Sequence, residues 1–151
     1  MNQESKKQVG FSIIETLLVL AILAMIILIS FASFPGFNSR QALDKDTYLV
    51  KATIEQARSL TLAGKNDSAY GVHFSSSSAT VFPAPTYSAG NSANEVSNLM
   101  SKVQISAITL TGGGSDIIFE RLTGNTTQDG TIKLSLRSDA QSSSTIAIYK
   151  T

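Results

Sequence analysis

Glu15 is the residue that demands a chemical explanation. It lies in "GFSIIETLLVLAILAMIILISF", and from Phe11 to Phe34 no other residue carries a charge. A carboxylate near the hydrocarbon core of a bilayer costs about 2.5–3.5 kcal/mol on insertion scales, and an ionisable group there is read as functional, with a partner to be named. Glu15 sits only a turn into the run, where the interface relieves part of that cost. The run supplies no Lys or Arg to pair with it. Either the partner comes from another molecule or the carboxyl is protonated.

Other residue types that do chemistry are sparse. His73 is the sole histidine, set in "YGVHF" between apolar neighbours, and there is no cysteine. A strand-borne histidine with a structural hydrogen bond is the favoured reading. A transition-metal site would have to rest mainly on carboxylates. Asp116, Glu120, Asp129 and Asp139 could meet around calcium in principle, but they are scattered, and loop aspartates ordinarily form solvated turns. No metal and no cofactor are expected. "TGGGSD" lacks the Lys-Ser/Thr and the strand-to-helix step of a phosphate loop. A Ser-His-Asp hydrolase would need His73 as its base, and no nucleophile-elbow pattern is present. The expectation is a protein that is not an enzyme.

Lys133 and Arg137 share a strand face, with Arg121 and Lys150 as further basic candidates near them. Such a patch could touch phosphates, but no aromatics interleave it as a single-strand binder would want. A solvated sheet face is the simpler reading. Composition agrees: 12 basic against 11 acidic residues leave a net charge of +1, which gives no electrostatic pull towards nucleic acid. The absence of cysteine excludes disulfides, Cys-type zinc sites and a thiol nucleophile without fixing the compartment. At 151 residues the chain has room for one domain of ordinary size plus an appendage.

The elements that must position Glu15 begin with the apolar run itself. Counted from Phe11 it exceeds the roughly 20 residues a helix needs to cross a bilayer. A cleaved secretory signal, with "SFASF" as its cleavage site, is one reading, but the run is long for one. A buried core helix is another, but one small domain could hardly surround it. A membrane anchor fits best, with Lys6 and Lys7 holding the N-terminus in the cytoplasm and the rest of the chain outside it.

With its basic leader, "GFSIIETLLVLAIL" resembles the class III signal of type IV pilins and type II secretion pseudopilins. Gly10, Phe11 and Glu15 occupy the three signature positions of that family, and "MNQESKKQVG" has the form of its leader. The resemblance implies cleavage after Gly10 by prepilin peptidase and N-methylation of Phe11 as the mature N-terminus. It also implies that Glu15 pairs with the N-terminal amine of a neighbouring subunit during filament assembly. Two charges that are each costly in an apolar core become tolerable together, because their attraction rises as the dielectric falls. The plain alternative is an anchor with a chance glutamate.

Beyond the run, Pro35 and Gly36 predict a kink or local melting. Helix character resumes in "NSRQALDKDTYLVKATIEQARSLTLAGKN", where Leu43, Val50, Ile54, Ala57 and Thr61 recur at helical spacing, flanked by Leu49 and Leu60. Gly64 is a suitable stop. A helix from Phe11 to Ala63 would extend roughly 80 Å at the standard rise. Six strands follow by pattern: "AYGVHF" and "ATVFPAP" as a hairpin across "SSSS", then "KVQISAITL", "DIIFERL", "GTIKLSLRS" and "STIAIYK". In the fifth, Ile132, Leu134 and Leu136 share one face. "PTYSAGNSANEVSNLMSK" reads as an irregular surface insertion with a short helical turn near Asn94–Met100.

The predicted architecture is α+β and pilin-like, a long N-terminal helix with a transmembrane half and an amphipathic half packed on an antiparallel β-sheet head. Its expected divisions are a leader (1–10), a transmembrane and filament-core helix (11–34), an amphipathic helix (35–64) and a β-rich head (65–151). The head also resembles GspH/FimT-type minor pilins in "ARSLTLAGKNDSAYGVHF", "IIFERLTGNTTQDGTIKLSL" and "IAIYK". That resemblance implies a minor pilin or pseudopilin of a type II secretion pseudopilus or type IV pilus. Its partners would be other subunits, prepilin peptidase and N-methyltransferase, an inner-membrane assembly platform and, before assembly, membrane lipid. The protein would reside in the cytoplasmic membrane and then in a periplasmic or extracellular filament. The alternative is a DNA- or surface-binding tip subunit for uptake or adhesion. "IAIYKT" lacks the arginine-rich tail that DNA-uptake members carry, so nucleic acid is the weaker partner.

Overall fold

A computed structural model describes residues 10–150, with residues 31–35 described by their backbone alone; residues 1–9 of the expected leader, Lys6 and Lys7 included, and Thr151 lie outside the described residues. Helix α1 runs from Ile13 to Leu62, and the chain divides into two compact units between Phe37 and Asn38. In the first unit, Ile13–Ser30 has a mean hydropathy of 2.8 with none of it buried, so this helix is long and apolar enough to span a membrane. The helical backbone continues through Pro35 and Gly36, so the predicted melting does not occur there. Proline withholds one donor, and the hydrogen bonds on either side suffice to hold the turn.

In the second unit the rest of α1 buries Ala42, Leu43, Asp46, Thr47, Val50, Thr53, Ala57 and Thr61. Steps of three and four residues keep these on one face, as the apolar stripe predicted, with Ile54 and Leu60 packed beside it. The threonines are accommodated because their hydroxyls donate back to the carbonyls one turn earlier: Thr47 to Leu43 at 2.8 Å, Thr53 to Leu49 at 2.9 Å and Thr61 to Ala57 at 2.8 Å. The helix stops where Gly64 turns left-handed at φ 61°. The Thr61 hydroxyl then accepts from the Tyr70 N–H at 2.9 Å, fastening the helix end to the first strand.

Among the described residues seven strands follow: β1 (Tyr70–Phe74), β2 (Ser78–Pro83), β3 (Glu95–Asn98), β4 (Val103–Leu110), β5 (Asp116–Ile118), β6 (Gly130–Leu136) and β7 (Ser143–Ile148). They form two antiparallel sheets, β3-β2-β1-β5 and β4-β6-β7. The α+β class and its antiparallel pairing stand as expected. β1 and β2 form the expected hairpin, and Ile132, Leu134 and Leu136 are all buried. Both sheets share a core with the helix, from Val50 and Ala57 to Val72, Phe74, Ile117, Ile132 and Leu134.

Two features depart from the sequence reading. The segment at Glu95–Asn98 is a strand paired to β2, neither irregular nor a helical turn. Edge pairing asks only for backbone registry, so a polar tetrapeptide can join a sheet without an apolar pattern. The head holds two antiparallel sheets where one was expected, with β4 and β5 on either side of the glycine-rich link in different ones and β5 returning to pair with β1.

Asp46 sits in the helix's buried face at 1% exposure, its Oδ2 accepting the Met100 N–H at 2.7 Å. Burial pushes its carboxyl above the ordinary range, and the Met100 N–H and Lys45 only partly oppose this. An acid whose folded pKa is raised weakens the fold once pH climbs above the unfolded value, and the penalty is complete above the folded value. Asp46→Asn keeps an acceptor for Met100 and removes the charge. It is therefore expected to raise stability at neutral pH, with the gain shrinking as pH falls towards the unfolded carboxylate value. Denaturant midpoints of both proteins across that range, measured in detergent, check this.

Candidate functional site

The N-terminal segment is built from exposed residues. Gly10 precedes the helix, and a Cβ added to it would meet none of the described residues within 4 Å. Phe11 is 85% exposed. Thr16 fixes the first turn, its N–H reaching the Ser12 carbonyl at 3.1 Å and its hydroxyl the same oxygen at 3.2 Å. Glu15 stands in that first turn, where the helix dipole favours a negative charge. It makes no ion pair among the described residues. Among the described residues, the segment therefore presents an exposed Gly10 and Phe11 and a Glu15 without an ion pair at the entrance to an apolar helix exposed from Ile13 to Ser30.

His73 is engaged within the sheet β3-β2-β1-β5. Its register partner across β1 and β5 is Asp116, and the Nδ1 to Oδ1 separation is 2.6 Å. The Tyr87 ring stacks on the imidazole with centroids 3.8 Å apart and planes 3° from parallel, and Phe82 meets Tyr87 edge-on at 5.5 Å. The structural hydrogen bond expected of His73 is thus present, with an acidic partner the sequence left among the calcium candidates. The other carboxylates are apart. The Thr111 hydroxyl donates to Asp129, and Asp139 closes a turn. The Ser142 hydroxyl, followed by the Gln141 N–H, holds the Asp139 carboxyl below its usual range. Glu120 is exposed at the end of β5. Among the described residues no three His, Asp or Glu side chains gather as metal ligands.

The basic candidates are likewise dispersed. Arg121 forms an ion pair with Asp67 beside the helix end. Arg137 donates to Gln104 at 3.3 Å, Lys133 is exposed in the middle of β6, and Lys150 is exposed beyond β7. Lys133 lies within β6 and Arg137 just past its end, whereas Arg121 is drawn to the loop before β1. Sequence reasoning missed Tyr87 and the Asp67 partner of Arg121. Both contacts join segments whose proximity depends on the strand order. No protein-family model, curated protein or solved structure matches this chain.

Proposed function

We propose that the chain is a minor pilin-like or pseudopilin-like subunit, anchored by α1 in the cytoplasmic membrane, processed after Gly10 and assembled into a type IV pilus or a type II secretion pseudopilus. The observation that carries this reading is the exposed Gly10 and Phe11, and a Glu15 with no ion pair among the described residues, at the start of a long apolar helix. Cleavage would create an amine on Phe11, and N-methylation leaves it cationic. Glu15 of a neighbouring subunit supplies the counter-charge, and the pair sets register between adjacent helices. Before assembly, Lys6 and Lys7 keep the N-terminus on the cytoplasmic side and the head lies outside. The pairing of Arg121 with Asp67 and of Arg137 with Gln104 favours a structural role over a DNA-binding tip.

The test is the N-terminal mass of protein from cells with and without prepilin peptidase. The expected mature species begins at methylated Phe11 and disappears in the peptidase-deficient cells. A mature chain that begins elsewhere, or that forms without the peptidase, overturns the reading.

A further inference from the structure

The two sheets have four outer edges, and three of them are defended. β3 is four residues long and carries Glu95, which pairs with Lys65 at 3.5 Å. β5 has three residues, and the outward N–H of Ile118 is taken by the Gln128 side chain at 3.3 Å. β4 is bulged between Ile105 and Ala107, and the Ile105 N–H is taken by the Ser76 carbonyl at 3.0 Å. Short length, charge, bulges and capping are the ordinary devices against unwanted strand addition.

Among the described residues, β7 shows none of them. Its six residues, "SSTIAI", contain no charge and no proline, and they pair with β6 in unbroken register. The Leu136 N–H donates to the Ser142 carbonyl, and hydrogen-bonded pairs in an antiparallel ladder recur every second residue. Ser144, Ile146 and Ile148 therefore face β6 with their backbone groups, while Ser143, Thr145 and Ala147 aim theirs outward. Alongside lies a groove of about 460 Å³ between β7 and α1, with an apolar floor that includes Ile54, Phe119 and Ile146. Lys51, Arg58 and Glu55 line its helix side, a net positive wall.

We propose that β7 is a strand-acceptor edge, which binds an extended segment of a partner protein by main-chain hydrogen bonds to Ser143, Thr145 and Ala147. Alternate side chains of that segment fall on the Ile146 face and enter the groove, so they are apolar. The wall of Lys51 and Arg58 selects a segment that also carries a carboxylate. This site does not depend on the processing of Gly10 or on filament entry.

The probe is a synthetic strand-length peptide alternating valine and threonine with a glutamate at one end, added to the full chain in detergent micelles. Fluorescence anisotropy reads binding, and amide exchange reads the edge. Peptide is expected to bind and to slow exchange at Thr145 and Ala147. Thr145→Pro removes an outward donor without touching the β6 ladder, and proline is tolerated on such an edge. It is expected to weaken binding at least tenfold with an unchanged melting temperature. Ala147→Lys, at an exposed position, is expected to weaken it as well and provides a second variant should the proline disturb folding. Absent binding, binding unaffected by both variants, or protection elsewhere than β7 overturns the proposal. So does concentration-dependent self-association through β7 that excludes the peptide, because the occupant is then a second copy.

Discussion

Under the proposed function, chains carrying Glu15→Ala are expected to insert into the membrane and to be cut after Gly10, yet to be lost from filaments. Insertion improves when a charge leaves an apolar helix, by about 2.5–3.5 kcal/mol on insertion scales. The Gly10–Phe11 bond lies outside α1, four residues upstream of the altered side chain's own peptide, and none of the described residues crowds Gly10. Incorporation is another matter under the proposed function. Removing one partner of a buried ion pair leaves the other charge uncompensated, at a cost of about 3–5 kcal/mol. At about 1.4 kcal/mol per factor of ten, that is a loss of a hundredfold or more in incorporation. Sheared-filament and membrane fractions, probed for the subunit in both strains, measure it. Equal incorporation would remove the pairing role from Glu15 and leave it a chance carboxylate.

The second large effect concerns the head alone. Gly130 opens β6 at φ 148°, and a Cβ built there would lie 1.9 Å from the Thr109 carbonyl oxygen and 2.9 Å from the Leu110 Cα. Both obstacles are backbone of the paired strand, so neither can rotate aside. Backbone conformations reserved for glycine cost other residues about 1–3 kcal/mol, and an overfilled site about 1–3 kcal/mol more. Gly130→Ala is therefore expected to destabilise the head by at least about 2 kcal/mol, seen as a lower denaturant midpoint, and to disturb the end of the β4–β6 ladder first. An unchanged midpoint would show that the strand start can shift without cost.

Legibility followed the physics of each element. The helix stripe could be read because burial on one face imposes a period of three to four, and Val50, Ala57 and Thr61 obey it. β6 could be read because Ile132, Leu134 and Leu136 fall on the core face while Thr131 and Lys133 are exposed, although Ser135, expected on the solvent face, is buried as well. β3 could not, since Glu95–Asn98 pairs through backbone at an edge and buries little. The partner of His73 was hidden because Asp116 is remote in sequence, and only the β1–β5 register brings them together. Asp46 escaped notice because its burial depends on the loop that carries Met100. The spacing of Gly10, Phe11 and Glu15 is read directly from sequence, because the three lie within six positions of one another and the pattern requires no tertiary contact.

The strand order also governs when the head can be complete. β5 belongs to the sheet begun by β1, yet it is reached only after β4, which awaits β6 in the other sheet. Each sheet is thus interrupted by a strand of its companion, and the chain cannot finish one before starting the other. Loop closure must be paid twice before the shared core rewards it, which favours late, joint consolidation over stepwise growth. A chain emerging in order from its N-terminus would hold β1, β2 and β3 as an unfinished sheet until Asp116–Ile118 arrived. The apolar faces of Val72 and Phe74 would wait with it for Ile132 and Leu134.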